Sequence, residues 1–249
     1  MKSILMNTDM TRAIMQDRKT QTRRPIKKFF DLSLPKSEAY PILYENMPTD
    51  LEFKEMSGFK NICAIFYSKS EDKYYCSSPM QYNIGEKIWI REPASIVDFS
   101  HDGLELRCKY KADNKIVTIE TPDRFLPYPP ETKLPLWIEK KQGVPNGCIK
   151  ELARNFIVVT HIDIQRLQDI SDDDCLKEGI ERIVFNDGMR ELYGVDIDRE
   201  HKNSLNICNT SYKDAFRDLW NFTSTQHLKW DDNPFVITYN FKRIKNEQT

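Results

Sequence analysis

Phe156-Ile157-Val158-Val159-Thr160-His161-Ile162-Asp163-Ile164 is the clearest strand in the chain, and the reading of the fold starts from it. Phe156, Val158, Thr160, Ile162 and Ile164 alternate with Ile157, Val159, His161 and Asp163, as successive strand residues point to opposite faces. The near-continuous apolar first half predicts burial on both faces. His161 on such a strand reads as a hydrogen-bonded structural histidine. Downstream comes a short helix. Ser171 is its N-cap, Asp174 closes a capping box, Ile170 and Cys175 form the hydrophobic staple, and Gly179 is the stop. Three Asp in its first turn complement the helix dipole. This punctuation accounts for the acidic run Asp169 to Asp174, which is therefore not read as a metal site.

Further along, Ser211 and Asp214 cap a helix over Tyr212 to Trp220, with Tyr212, Ala215, Phe216, Leu219 and Trp220 on one face. A final strand runs from Phe235 to Ile244. Upstream, hairpins are expected over Ile62 to Cys76 and over Leu104 to Tyr110 with Lys115 to Glu120, the second turning at Asp113-Asn114. Gly85-Glu86 opens a strand through Trp89 to Glu92. Residues 27 to 80 otherwise read as irregular, and the proline-rich stretch Pro122 to Pro135 reads as a rigid loop. Near the start, a helix is expected over Asp9 to Asp17, N-capped by Thr8, with Met10, Ala13 and Ile14 as its apolar face. Lys19-Thr20-Gln21-Thr22-Arg23-Arg24 then turns into a short strand that Pro25 ends or leaves at a sheet edge. Mostly strands with short helices between them predict an α+β chain built on a compact β-barrel. An alternating parallel sheet would need longer crossover helices.

Composition narrows the function classes. The 249 residues carry 37 basic and 38 acidic side chains, a net charge of −1, which argues against a protein that coats DNA generically. The asymmetry is local: Arg18 to Lys28 holds six bases and no acid. The longest apolar run, Ile62 to Tyr67, is too short to span a membrane. The apolar core of the first ten residues, Ile4 to Met6, is too short for a signal peptide, so a cytoplasmic location is expected. Six scattered cysteines without a CxxC read as free thiols. Four scattered histidines without HxxxH or HExxH predict no metal site, and no cofactor is expected.

An ordered set of segments carries a resemblance. They are Lys2 to Asn7; Asp17-Arg18-Lys19-Thr20-Gln21-Thr22-Arg23-Arg24-Pro25; Gly85-Glu86 with Trp89 and Arg91-Glu92; Leu167 to Ser171 through Glu178-Gly179-Ile180; Phe216 to Trp220; and Trp230, Asn233-Pro234 and Phe241 to Ile244. Together they resemble the ASCH domains of the PUA-like superfamily, in particular phage and prophage proteins of the morphogenetic type. The resemblance covers both ends and roughly half of the chain. It implies one domain over residues 1 to 249, a small β-barrel with peripheral short helices, and insertions at about 30–80 and 97–150. The family signature is a Gly, a Lys two positions later and an Arg five beyond that. Lys19 and Arg24 match, while Asp17 stands at the Gly position, and Asp tolerates left-handed backbone better than most residues. The resemblance further implies a cleft for a nucleobase or RNA end. Some small bacterial relatives hydrolyse the acetyl amide of N4-acetylcytidine with a Lys and a Thr of this signature and a Glu of the later helix. Those positions fall on Lys19, Thr22 and Glu178.

Amide hydrolysis needs a nucleophile, a base and a proton donor for the leaving amine. Thr22 can supply the hydroxyl. Lys19 can be the base if burial and Arg18, Arg23 and Arg24 lower its pKa, and Glu178 can orient it while its charge opposes that shift. Arg24 can hold a phosphate or an oxyanion. Lys19 and Thr22 are three apart, so both reach one site only if Lys19 lies in the turn before the strand. Arg18, Thr20, Arg23, Arg24, Arg91 and Glu92 are the expected binding residues. Trp89, Trp220 and Trp230 can stack on a base, although Trp89 and Trp220 read as core.

Three readings result. The first is a binding module for RNA, single-stranded nucleic acid or a modified nucleoside, in a basic cleft. The second is an amidohydrolase using Lys19, Thr22 and Glu178. The third is a phage assembly protein that keeps the fold without chemistry and binds a phage or host protein.

Overall fold

The computed structural model describes residues 1–35, 37–58, 62–126, 133–144, 148–184, 191–195, 207–224 and 228–244. The chain opens with β1 (Ser3–Leu5), α1 (Thr8–Met15) and β2 (Gln21–Pro25). Next come β3 (Lys28–Asp31), β4 (Ile42–Leu43), β5 (Glu52–Ser57), β6 (Cys63–Ser68) and β7 (Lys73–Ser77). They are followed by β8 (Lys87–Arg91), β9 (Ala94–Phe99), β10 (Glu105–Tyr110), β11 (Ile116–Glu120) and α2 (Leu136–Glu139). The last part holds β12 (Phe156–Arg166), α3 (Asp172–Lys177), β13 (Glu181–Val184), β14 (Glu191–Val195), β15 (Ile207–Asn209), α4 (Tyr212–Thr223) and β16 (Phe235–Ile244).

The central sheet has the order β1-β8-β12-β16-β2, antiparallel except for the β1–β8 pair. Its two edge strands pair with β8 and β16 and not with each other. Among the described residues none of the four sheets closes, so the expected barrel gives way to a strand-rich α+β arrangement of open sheets. No helix among the described residues is long and apolar enough to cross a membrane.

Burial in β12 corrects the expectation of two buried faces. Ile157 and Val159 are buried, then Ile162 and Ile164, while Thr160 and His161 are exposed. The pairing with β16 shifts register between Val159 and His161. That bulge switches the parity, so odd-numbered residues before it and even-numbered residues after it point into the same core. It also turns His161 outward, against its reading as a structural histidine.

Residues 27 to 80 are more regular than their prolines suggested. They form a five-stranded antiparallel sheet, β4-β3-β7-β6-β5, that contains the expected hairpin. Its inward face carries Phe29, Phe66 and Tyr75. Phe66 lies 4.7 Å from Phe235 of the central sheet, ring centre to ring centre, so the two sheets share one core. Full burial of such a side chain contributes roughly 2–3 kcal/mol. The hairpin at 105–120 adds β9 to make a third sheet. It packs with Ile138, Leu152 and Trp89 in a separate apolar cluster. In the proline-rich stretch, residues 123–125 form one 3-10 turn, and 127–132 lie outside the described residues.

The helix ends are set locally. Asn7, not Thr8, caps α1, accepting from the Met10 N–H at 2.8 Å. Ser171 and Ser211 cap α3 and α4 as expected, each accepting at 3.1 Å from the third helical N–H, and α4 runs one turn past Trp220. Ile170 and Cys175 are fully buried as the staple requires. All six cysteines are free thiols.

Candidate functional site

Two helix C-termini deliver the central pair. At the end of α1, Asp17 N–H donates to Ile14 O at 3.0 Å and Arg18 N–H to Ala13 O at 2.8 Å. This is a Schellman turn, and Asp17 holds its left-handed position at φ +59°. At the end of α3, Gly179 N–H donates to Leu176 O at 2.9 Å and Ile180 N–H to Cys175 O at 3.0 Å, with Gly179 at φ +99°. The two turns are tied by Thr20 N–H to Lys177 O at 2.9 Å. They touch so closely that a Cβ on Gly179 would sit 3.4 Å from the Ala13 Cβ and 3.5 Å from the Lys19 Cβ. Lys19 therefore leaves the turn before β2 begins, as its spacing from Thr22 demanded, and Glu178 is the C-cap residue of α3.

Lys19 is 3% exposed and Glu178 4%. The Lys19 ammonium donates to both Glu178 Oε2 and the Glu178 backbone O, each at 2.7 Å. Arg23, whose side chain is wholly buried, donates to Glu178 Oε1 at 3.0 Å, to Gln21 Oε1 at 2.5 Å and to Asp174 Oδ2 at 2.9 Å. With the Gln165 amide turned so that its oxygen faces the guanidinium, that oxygen accepts from Arg23 Nε at 3.0 Å. The Phe216 ring lies against the same guanidinium, 5.8 Å from Cζ to centroid. Every oxygen of Glu178 is thus engaged. Charges buried this deeply persist only with such complete pairing.

Burial drives the Lys19 ammonium below its usual 10.5. The charge and hydrogen bond of Glu178 oppose this, while Arg24 and Arg23 assist it. Burial likewise lowers Arg24, against Glu178, Tyr82 and Tyr239, although a guanidinium stays protonated. Burial raises Asp174, but Arg23 and Lys177 outweigh it and hold the carboxyl below 3.8.

Lys19, Arg23, Glu178 and Phe216 of this network line a cavity of about 820 Å³. Register relates other lining residues. Thr22 lies opposite Tyr239 and Arg24 opposite Ile237, so all four share one face of the central sheet. Tyr82 stands edge-on to Tyr239, with ring centres 5.2 Å apart, and its hydroxyl is spent on Ser3 O at 2.8 Å. Tyr239 is 1% exposed, yet its hydroxyl has no partner in hydrogen-bonding geometry. Burial raises its pKa, and the nearby Gln81 and Tyr82 backbone N–H groups offset part of that rise. Two other residues that line the cavity, Arg91 and Ser224, have their Nε and Oγ likewise buried without a partner. Among the described residues the Thr22 hydroxyl makes no hydrogen bond.

No family model, curated protein or solved structure matches the chain. The roles of the site residues therefore rest on the geometry and on the resemblance of the segments.

Of the residues singled out from sequence, Lys19, Thr22, Glu178, Arg23, Arg24 and Arg91 line the cavity, and Arg18, Thr20 and Glu92 do not. Arg18 turns away to Glu181, 2.5 Å distant, and the neighbouring cations that chiefly lower Lys19 are Arg24 and Arg23. Thr20 is held by its backbone, its carbonyl accepting from Phe241 N–H at 2.8 Å. Glu92 is fully buried on Arg154 and Asn155, where it braces the start of β12. Trp220 is core, its indole N–H donating to Leu228 O at 2.7 Å, and its ring also borders the cavity. Trp89 packs in the second apolar cluster.

Sequence reasoning missed Asp174, Gln21, Tyr82 and Tyr239. Asp174 was hidden by its capping role. Tyr239 carried a signal, since a tyrosine on the buried face of a central strand needs a partner for its hydroxyl. Among the described residues no cluster of His, Cys, Asp and Glu could hold a metal ion. The residues that line the cavity include Thr22 with its unbonded hydroxyl, Lys19 with its ammonium lowered by burial, fixed guanidinium groups, and Tyr82 and Tyr239.

Proposed function

We propose that the cavity binds a nucleobase-bearing ligand, a modified nucleoside or an RNA or single-stranded end, in an ASCH-type, PUA-like site. The observation that carries this reading is a set of unpartnered polar groups in residues that line the cavity: Tyr239 OH, Arg91 Nε and Ser224 Oγ, and the Thr22 hydroxyl. Buried polar atoms are costly without partners, and here they stand ready for a ligand that brings both donors and acceptors. A nucleobase edge does so. The volume lies within the range of about 300–1,000 Å³ that small-ligand sites occupy. Lys27 and Lys28, also lining it, and Arg24 supply charge for a phosphate.

One further observation favours a second reading, hydrolysis of an acylated exocyclic amine such as that of N4-acetylcytidine. Lys19, Thr22 and Glu178 converge on the same cavity, and burial lowers the ammonium. In that reaction Thr22 Oγ attacks the acyl carbon and its proton passes to the Lys19 amine. The leaving nitrogen takes a proton from the resulting ammonium, and water then releases the acyl group from Thr22.

The binding reading is tested by fluorescence anisotropy of labelled oligoribonucleotides at several salt concentrations. Salt-sensitive binding that Arg24→Gln weakens supports it, and the absence of such binding for oligonucleotides, together with none for cytidine or N4-acetylcytidine by calorimetry, overturns it. Incubation with N4-acetylcytidine and chromatographic detection of cytidine tests the second reading. Turnover that Thr22→Ala abolishes supports it, and turnover unchanged in Thr22→Ala, or none at all, removes it.

A further inference from the structure

A second cavity, of about 350 Å³, shares Ser3 and Arg91 with the first. Trp89 and Arg91 are two apart on β8, so both side chains emerge on one face of that strand. Facing them are residues from the 97–150 segment that the sequence left without a role. Phe125 and Trp137, both half-buried, stand edge to face with ring centres 5.3 Å apart and planes at 88°. The Arg124 guanidinium lies 4.5 Å from the centre of the Phe125 ring, held there by two 2.7 Å hydrogen bonds to Glu151. With Arg91 and Lys150, the described lining of this cavity carries three cations and no carboxylate. Arg91 lines both cavities, and its Nε is buried without a partner.

Aromatic faces beside fixed cations are how proteins hold successive bases of a single strand: the rings stack and the guanidinium groups take the phosphates. From the shared Arg91 and the aromatic and basic second cavity we infer that the ligand is a single strand of at least two nucleotides. One base occupies the main cavity, the connecting phosphate lies at Arg91, and the flanking base stacks at Trp137 and Phe125. This inference rests on the proposed function and extends it from a nucleoside to an oligonucleotide.

The test is calorimetric titration of the full chain with cytidine monophosphate, the cytidine dinucleotide and a tetranucleotide. The dinucleotide is expected to bind about tenfold more tightly than the mononucleotide, the size of one stacked base with its phosphate contact. The tetranucleotide is expected to add little more. In Trp137→Ala the ratio of dinucleotide to mononucleotide affinity falls towards one. Should that variant fail to fold, Lys150→Glu, at an exposed position, lowers the same ratio through charge alone. Equal affinities for the mono- and dinucleotide in the unmodified protein overturn the inference and leave the main cavity's reading standing. A ratio that neither variant changes also overturns it. Binding of neither ligand removes both.

Discussion

Replacing Glu178 by Gln is the sharpest perturbation of the buried network. Glu178 Oε2 lies 2.7 Å from the Lys19 ammonium, and Oε1 lies 3.0 Å from Arg23. At an effective dielectric constant of about 20, each contact is worth about 6 kcal/mol before desolvation is counted. Desolvation of three ions offsets most of that, so the pairs add little net stability while intact. Their removal is not symmetrical. The Glu178→Gln substitution would leave two buried cations facing one neutral amide, a loss of about 3–5 kcal/mol. Lys19→Met keeps the apolar stem against Gly179 and leaves Glu178 paired with Arg23, so it should cost only about 1–2 kcal/mol. In the double variant Arg23 keeps Asp174 and Gln21. Its cost should fall short of the sum of the singles by at least about 1 kcal/mol. Equilibrium urea unfolding of the four proteins at pH 7 measures all three quantities. A Glu178→Gln loss below about 1 kcal/mol, or a larger loss for Lys19→Met, would refute the view that one carboxylate balances both cations.

Lys19 also predicts a pH effect. Between its lowered folded value and 10.5 the unfolded chain binds the extra proton, so stability should rise with pH across that window relative to Lys19→Met. Urea unfolding at several pH values checks this, and a parallel pair of curves contradicts it. Gly179→Ala places a side chain at φ +99° against Ala13 and Lys19 and should cost about 1–2 kcal/mol, read as a lowered urea midpoint. Tyr239→Phe removes a hydroxyl with no protein partner. It should change stability by no more than about 0.5 kcal/mol in the ligand-free protein, yet weaken nucleoside binding about fivefold in a calorimetric titration.

The sequence made legible what is written locally. Ser171, Ser211 and Gly179 punctuate their helices through side-chain and backbone chemistry within a few residues, and the structure keeps each. Asp17 takes a left-handed turn, a conformation that Asp tolerates better than most residues. Long-range pairing was less legible. The β12 bulge reverses the burial pattern without any residue that announces it. The sheet at 27–80 is built from strands of two to six residues, and the β3–β7 pairing at its centre joins residues as far apart as Phe29 and Ser77. At the site, Arg18, Arg23 and Arg24 were all expected to act on Lys19 and to bind ligand. Arg23 and Arg24, on opposite faces of β2, both border the cavity, whereas Arg18, still in the α1 turn, reaches Glu181. Glu92 was expected to bind ligand beside Arg91, but burial on Arg154 gives it a bracing role that only the three-dimensional pairing reveals. Apart from Gln21, the partners of Arg23 come from residues 165, 174 and 178.

A crystal structure of the protein soaked with N4-acetylcytidine tests the central claim most directly. The account predicts the pyrimidine ring in the main cavity beside Tyr82, with its polar edge within hydrogen-bonding distance of the Tyr239 and Thr22 hydroxyls and Lys19 still paired to Glu178. An empty cavity at millimolar nucleoside, or a ring bound elsewhere on the molecule, would contradict it.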